Sequence, residues 1–163
     1  VKPWHYEQTA LGLNYRLSDL HAALGISQLS FLDNYRLLKD VLANKYKEKL
    51  CHFNIGLPKE PKGCVSAHHL FVVRLKGSVG PEVRDELILE MSNLGVTGSM
   101  HYMPIYRHPY YRKFNYEVTD YPGAEQYYRE AFSLPLYPDL SDENLDYIVS
   151  SLKTSLKQMR LFG

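Results

Sequence analysis

Cysteine, charge of one sign and long apolar runs are all scarce in this chain, and each scarcity removes a class of protein. Cys51 and Cys64 are the two cysteines in 163 residues. A disulfide framework needs more, and reduced thiols are normal in the cytoplasm, which is the compartment expected here. The same residues make a poor metal site. Cys51 and His52 are adjacent, no CxxC is present, and no metal is expected on Cys51, His52, Cys64 and His68. Nineteen basic residues against eighteen acidic ones leave a formal charge of +1. No global field therefore favours nucleic acid or an anionic membrane surface. No apolar run approaches the roughly 20 residues that span a bilayer. Neither GxGxxG nor GxxxxGK[ST] occurs, so no dinucleotide or phosphate-loop fingerprint is available. Repeats and low-complexity tails are missing as well. The opening Val1-Lys2-Pro3-Trp4-His5 reads as neither a signal peptide nor an initiator sequence, and the expectation is a longer parent chain.

What the chain has in excess is tyrosine, fourteen in all. Eight of them (Tyr102, Tyr106, Tyr110, Tyr111, Tyr116, Tyr121, Tyr127 and Tyr128) crowd one stretch. A tyrosine joins a flat apolar face to a hydroxyl, which suits interfaces and pockets for polar rings. At 45% hydrophobic and 23% charged, the composition fits a globular domain with a core of its own.

Periodicity predicts the elements. Residues 1–17 lack a period and read as an ordered loop. Ser18 is a candidate N-cap with Asp19 in the first turn, and the helical pattern then runs through Leu50, with a bend expected near Asp33-Asn34. A helix over 18–51 is long enough to bridge two domains or line a dimer interface. Gly25 inside it suggests close approach by another segment. Residues 54–66 read as a loop, 70–75 as a buried strand, 96–100 as a second strand and 133–136 as a third, with Pro135 arguing for a sheet edge. Helices are predicted from Pro81 to a stop at Gly95, from Pro122 to about Phe132, and from a Ser141 cap through Met159. A small sheet covered by helices on one side, an α+β layer, is the architecture that fits.

Two stretches carry candidate chemistry. Asn14, Tyr15 and Arg16 precede a capped helix, where free N–H groups and positive potential favour a phosphate. Equally, Asn14 can hold the loop while Arg16 pairs with a surface carboxylate. The run from His101 to Tyr111 places aromatic rings beside basic donors after a predicted strand, which suits a sugar or nucleotide. Its alternatives are a tyrosine-rich loop packed on a partner subunit, or a stacking platform for single strands, against which the neutral charge counts. Of His68 and His69, one points in and the next out, and a satisfied structural histidine is the expectation. Ser133 has no His/Asp order around it that suggests a nucleophile.

The segment from Tyr6 to Leu29, with its pattern GxNYRxSDxxAALGxxQL, resembles the DegT/DnrJ/EryC1/StrS family of sugar aminotransferases that depend on pyridoxal phosphate (PLP). Ser66–Phe71, Gly95–Tyr111 and Ala131–Pro138 agree with that family in order, so the resemblance covers almost the whole chain. It implies the C-terminal α/β part of a fold-type I PLP enzyme, acting as a homodimer on a nucleotide-linked keto-sugar with glutamate as amino donor. Asn14 matches the position that reaches the neighbouring subunit's PLP phosphate, with Arg16 beside it. His101 and Tyr102 match positions near the substrate, and Tyr110 and Tyr111 are candidates for the sugar-nucleotide side. The resemblance also implies that the cofactor-bearing lysine lies upstream of Val1. No lysine here, Lys39, Lys45, Lys49, Lys76 and Lys113 included, has the family's surrounding motif, so no catalytic residue is assigned. The implied division is a loop over 1–17 from the end of a missing large domain, a linking helix over 18–51, and a small domain over 52–163. The chain alone is then expected to be inactive. A rival from another class is a non-catalytic sugar-nucleotide-binding or dimerisation module on the same fold.

Overall fold

The computed structural model describes residues 2–77 and 79–161. The chain divides into two compact units, residues 1–33 and 34–163. In the first unit an extended segment leads into helix α1 (Asp19–Leu29). Ser18 caps it as expected, its hydroxyl accepting from the His21 N–H. None of the described residues up to Asp33 is buried. A Cβ on Gly25 would meet nothing within 4 Å, so the close approach expected there is not made within the described residues.

The single helix expected over 18–51 is two helices, α1 and α2 (Leu32–Leu50). The break falls at Ser30-Phe31, before the expected bend. The Ser30 hydroxyl donates back to the Ser27 carbonyl at 2.7 Å, and the Phe31 N–H closes a tighter turn onto Gln28 at 3.1 Å. Local side-chain bonding of this kind competes with the helical ladder.

The second unit is an antiparallel three-stranded sheet in the order β1-β2-β3, built from β1 (Ile55–Gly56), β2 (Phe71–Leu75) and β3 (Ala131–Leu134). Phe71 pairs with Leu134 and Arg74 with Ala131, while Ile55 pairs with Leu75. Alternation sets the faces. Phe71, Val73 and Leu75 are buried, whereas Val72 and Arg74 stay half-exposed. The buried face meets Leu42, Tyr46 and Leu50 of α2, Leu87 and Met91 of α3 (Pro81–Asn93), and Leu145, Leu152 and Leu156 of α6 (Asp142–Gln158). Each such side chain contributes about 1.5–3 kcal/mol by leaving water. Tyr46 is the polar exception. It stacks on Phe71 with centroids 4.8 Å apart and donates its hydroxyl to the Pro135 carbonyl at 2.9 Å. Burial pushes its phenol well above the ordinary tyrosine range.

Three strand readings change. β1 lies inside the predicted loop; two residues are too few to show a period. The expected strand over 96–100 is reduced to one bridge, Ser99 to Ser133. Gly95, at φ +77°, ends α3 in a Schellman turn, with Val96 N–H donating to the Met91 carbonyl and Gly95 N–H to Ser92. Val96 therefore spends its donor on the cap. β3 begins two residues earlier than predicted, because α5 (Pro122–Glu130) stops at Glu130. Pro135 follows β3, and β3 is an edge of the sheet. Ser141 caps α6 through the Asn144 N–H, as its sequence predicts.

Candidate functional site

Residues 97–101 leave the α3 cap as an extended segment beside β3, held by Ser133 N–H donating to the Ser99 carbonyl at 2.7 Å. This brings His101 to the β3 edge, its Nδ1 3.2 Å from the Ser133 hydroxyl. The Ser133 Oγ also lies 3.2 Å from the Ser99 carbonyl oxygen. His69, Thr97, Ser99, His101 and Ser133, with Leu70, line a polar cavity of about 230 Å³. Tyr102 stands at 74% exposure with its ring edge-on to the His101 imidazole at 4.7 Å. Thr97, Ser99 and Ser133 were invisible as site residues in the sequence. The alternation 97, 99, 101 is the one signal that puts the first two on the same side as His101.

The aromatic stretch 101–121 contains two single-turn segments, Ile105–Arg107 and Val118–Asp120, and the short helix α4 (Pro109–Arg112). Its rings are linked in series: Tyr110 to Tyr111 at 5.2 Å, Tyr111 to Phe114 and Phe114 to Tyr116 at 6.2 Å, and Tyr116 to Tyr121 at 6.4 Å. Tyr106 stacks on Tyr121 at 4.7 Å. Lys113 Nζ lies 3.8 Å from the Tyr110 ring centroid. Tyr110 remains 65% exposed and Tyr111 38%, so both offer ring surface to a ligand or partner.

A buried carboxylate anchors this stretch to α5. Glu125 accepts from Arg107 Nε at 2.8 Å, from Arg107 Nη2, and from the Tyr106 hydroxyl at 2.9 Å. The Arg107 hydrogen bonds hold the Glu125 carboxyl below the usual range against the opposing effect of burial. Burial and then the Glu125 contact push the Tyr106 phenol up. The Arg107 and Arg84 guanidinium carbons lie 5.2 and 4.9 Å from the Tyr128 ring centroid, and Arg84, almost fully buried, donates to the Tyr128 carbonyl. Sequence reasoning passed over Glu125 and Arg84. A charged residue on a helix face gives no sign that it is turned inward.

Asn14 and Arg16 occupy the exposed extended segment before α1, and neither bonds another described residue. His68 is 4% exposed and sits 3.1 Å from Asp40 through Nε2, while His69 is exposed, in line with the inward and outward pair expected. The two thiols are exposed, with Cys51 Sγ donating to the Glu48 carbonyl. No group of three or more His, Cys, Asp or Glu placed for a metal occurs among the described residues. Nor is any described helix long and apolar enough to cross a membrane. A larger groove of about 780 Å³ lies on the half-exposed sheet face by Val72, Arg74 and Tyr127, where Arg74 is already paired with Glu130 at 2.6 Å.

The fold is an α/β module of the kind found in solved sugar aminotransferases. A sugar aminotransferase of Streptococcus pneumoniae matches it in its apo form with a TM-score of 0.85 at 25% identity, over 96% of this chain and 39% of that one. Its PLP form gives 0.84 at 26%, over 95% and 40%. Helicobacter pylori PseC, an aminotransferase of pseudoaminic acid biosynthesis, shares the fold with a TM-score of 0.81 at 22% identity, over 96% and 42%. In sequence, the spore coat polysaccharide biosynthesis protein SpsC of Bacillus subtilis is 32% identical over 159 residues, 94% of this chain and 40% of that protein. The DegT/DnrJ/EryC1/StrS aminotransferase family profile matches residues 2–153, and the chain belongs to that family. It spans about 40% of the length of the curated relatives it matches.

Proposed function

We propose that this chain is the C-terminal part of a PLP-dependent aminotransferase that moves an amino group from glutamate to a nucleotide-linked keto-sugar. The setting is the cytoplasmic synthesis of cell-surface or antibiotic sugars. The observation that carries this reading is the family match over residues 2–153, made by a chain about 40% as long as its curated relatives. SpsC is named for polysaccharide biosynthesis, and the S. pneumoniae neighbour is described in a PLP form, which supports the substrate class and the cofactor.

PLP, when bound, takes up the donor's amino group and delivers it to the acceptor ketone. The residues here fit one end of that group. An amide at Asn14 and a guanidinium at Arg16, both exposed and unbonded among the described residues, are the donors a phosphate needs, reached from a neighbouring subunit. For the other end nothing suitable is present: no described lysine is buried, and Lys45, Lys47 and Lys49 are held in ion pairs. His101 and Tyr102 face the sugar, and Tyr110 and Tyr111 supply flat surface for sugar or base. A homodimer follows from the shared phosphate site, and the unburied leucines of α1 favour it. The division into a 1–17 loop, a linking segment over 18–51 and a small domain over 52–163 belongs to the same reading.

An antibody raised to this chain tests it in the source cells. A product at least about twice the chain's 18.9 kDa supports the reading. A product of 18.9 kDa itself leaves no lysine for PLP and turns the assignment to a non-catalytic sugar-nucleotide-binding or dimerisation module. The 163-residue chain alone is expected to be inactive, and measurable transamination by it refutes the shared-site argument.

A further inference from the structure

We propose that Ser133 is a positioning residue that fixes His101 as its Nδ1–H tautomer, leaving Nε2 to accept a hydrogen bond from a hydroxyl or amino group of the sugar. The second half rests on the reading of His101 as a substrate residue. The first rests on three atoms alone.

The Ser133 hydroxyl is buried and lies 3.2 Å from two partners, the Ser99 carbonyl oxygen and His101 Nδ1. A hydroxyl has one proton and two lone pairs, and a carbonyl can only accept. Both contacts are hydrogen bonds at once in a single arrangement. The Ser133 proton goes to Ser99, and His101 Nδ1–H donates to Ser133 Oγ. With the proton turned to an unprotonated Nδ1 instead, two oxygens would face each other at 3.2 Å with nothing between them. The backbone keeps the triangle closed, because Ser99 and Ser133 exchange both main-chain bonds, at 2.7 and 3.3 Å. His101 Nε2 bonds no described residue, and the ring lines the polar cavity with Thr97 and Ser99. A neutral imidazole protonated on Nδ1 offers Nε2 as an acceptor. It therefore selects a donor: a sugar hydroxyl or an amine, rather than a carbonyl or phosphate oxygen.

The test is 15N spectroscopy of the 163-residue chain labelled at histidine, with His101 assigned by His101→Gln. It is recorded near pH 8.5, about two units above the ordinary imidazole pKa. The wild-type chain should show His101 as the Nδ1–H form. Ser133→Ala should release it to a mixture, and Ser133→Thr, which keeps the hydroxyl, should restore it. An Nε2–H form in the wild-type chain overturns the assignment without any variant, and so does an unchanged tautomer in Ser133→Ala. A separate measurement addresses the substrate. In the intact gene product, His101→Ala should raise KM for the nucleotide-linked keto-sugar about tenfold, the value of one hydrogen bond. An unchanged KM beside an Nδ1–H tautomer removes the role given to Nε2 and leaves the role of Ser133 standing.

Discussion

Replacing Arg107 by alanine tests whether the aromatic stretch is held to α5 by electrostatics or by its rings alone. Glu125 is 5% exposed and accepts three hydrogen bonds, two of them from Arg107. Removing one partner of a fully buried pair costs about 3–5 kcal/mol, because the other charge is stranded. The Arg107 side chain is 37% exposed, so water already screens part of the attraction, and exposed pairs contribute only about 0–1 kcal/mol. The Tyr106 hydroxyl stays on Glu125 in the variant. Arg107→Ala should therefore destabilise the chain by about 2–3 kcal/mol at pH 7. Adding Glu125→Gln removes the stranded charge and should recover about 1 kcal/mol of that loss. Urea titration followed by circular dichroism, with equal m-values, reads both numbers. The pH dependence has a definite sign. The Glu125 carboxyl is held below its ordinary value of about 4.3, so its contribution is present above that pH and is lost as pH falls through the lowered native value. The gap between wild type and Arg107→Ala should thus close in acid. A cost below about 0.5 kcal/mol at neutral pH, or a gap that persists in acid, refutes the reasoning.

Three further changes probe the frame around the cavity. Tyr46→Phe removes a buried donor and leaves the Pro135 carbonyl without it, which should cost about 1–2 kcal/mol in the same urea titration; a neutral result places water at that carbonyl. Gly95→Ala forces a side chain onto a backbone at φ +77° and should cost about 1 kcal/mol, seen as a lowered midpoint with an unchanged slope. Ser141→Ala should cost about 1 kcal/mol by exposing the α6 terminus, and Ser141→Asp should restore it, as measured by thermal unfolding.

The readable parts of this fold are those whose signal is local. Ser18 and Ser141 are caps because a short side-chain oxygen reaches back to an N–H within its own turn, and both were legible as such. Gly95 was legible for a similar reason, since a left-handed residue closes a turn of its own helix. The strand expected at 96–100 failed because that same cap consumes the Val96 donor, a competition that strand propensity does not weigh. His101 was singled out as a candidate through its place after a strand-like segment, whereas Ser133 was placed in a strand and set aside as a nucleophile. Their meeting depends on pairing between residues 34 positions apart, which no periodicity reports. Glu125 was missed because burial of a charge is decided by its partner, and Arg107 lies 18 residues away across an irregular stretch.

Hydrophobic periodicity carries a further ambiguity, visible in the first unit. Leu20 and Leu24 read as part of an apolar stripe at helical spacing, yet they are 80% and 59% exposed. A stripe in sequence records that a surface is to be covered, not which chain covers it. Single exposed leucines are ordinary on any protein, but here no described residue from Lys2 to Asp33 is buried. The same stretch holds Asn14 and Arg16, donors with no described partner. Apolar side chains without cover and polar donors without acceptors, in one short segment, point to the same requirement. That requirement is a covering surface, and the shared phosphate site proposed for this segment is a surface of that kind.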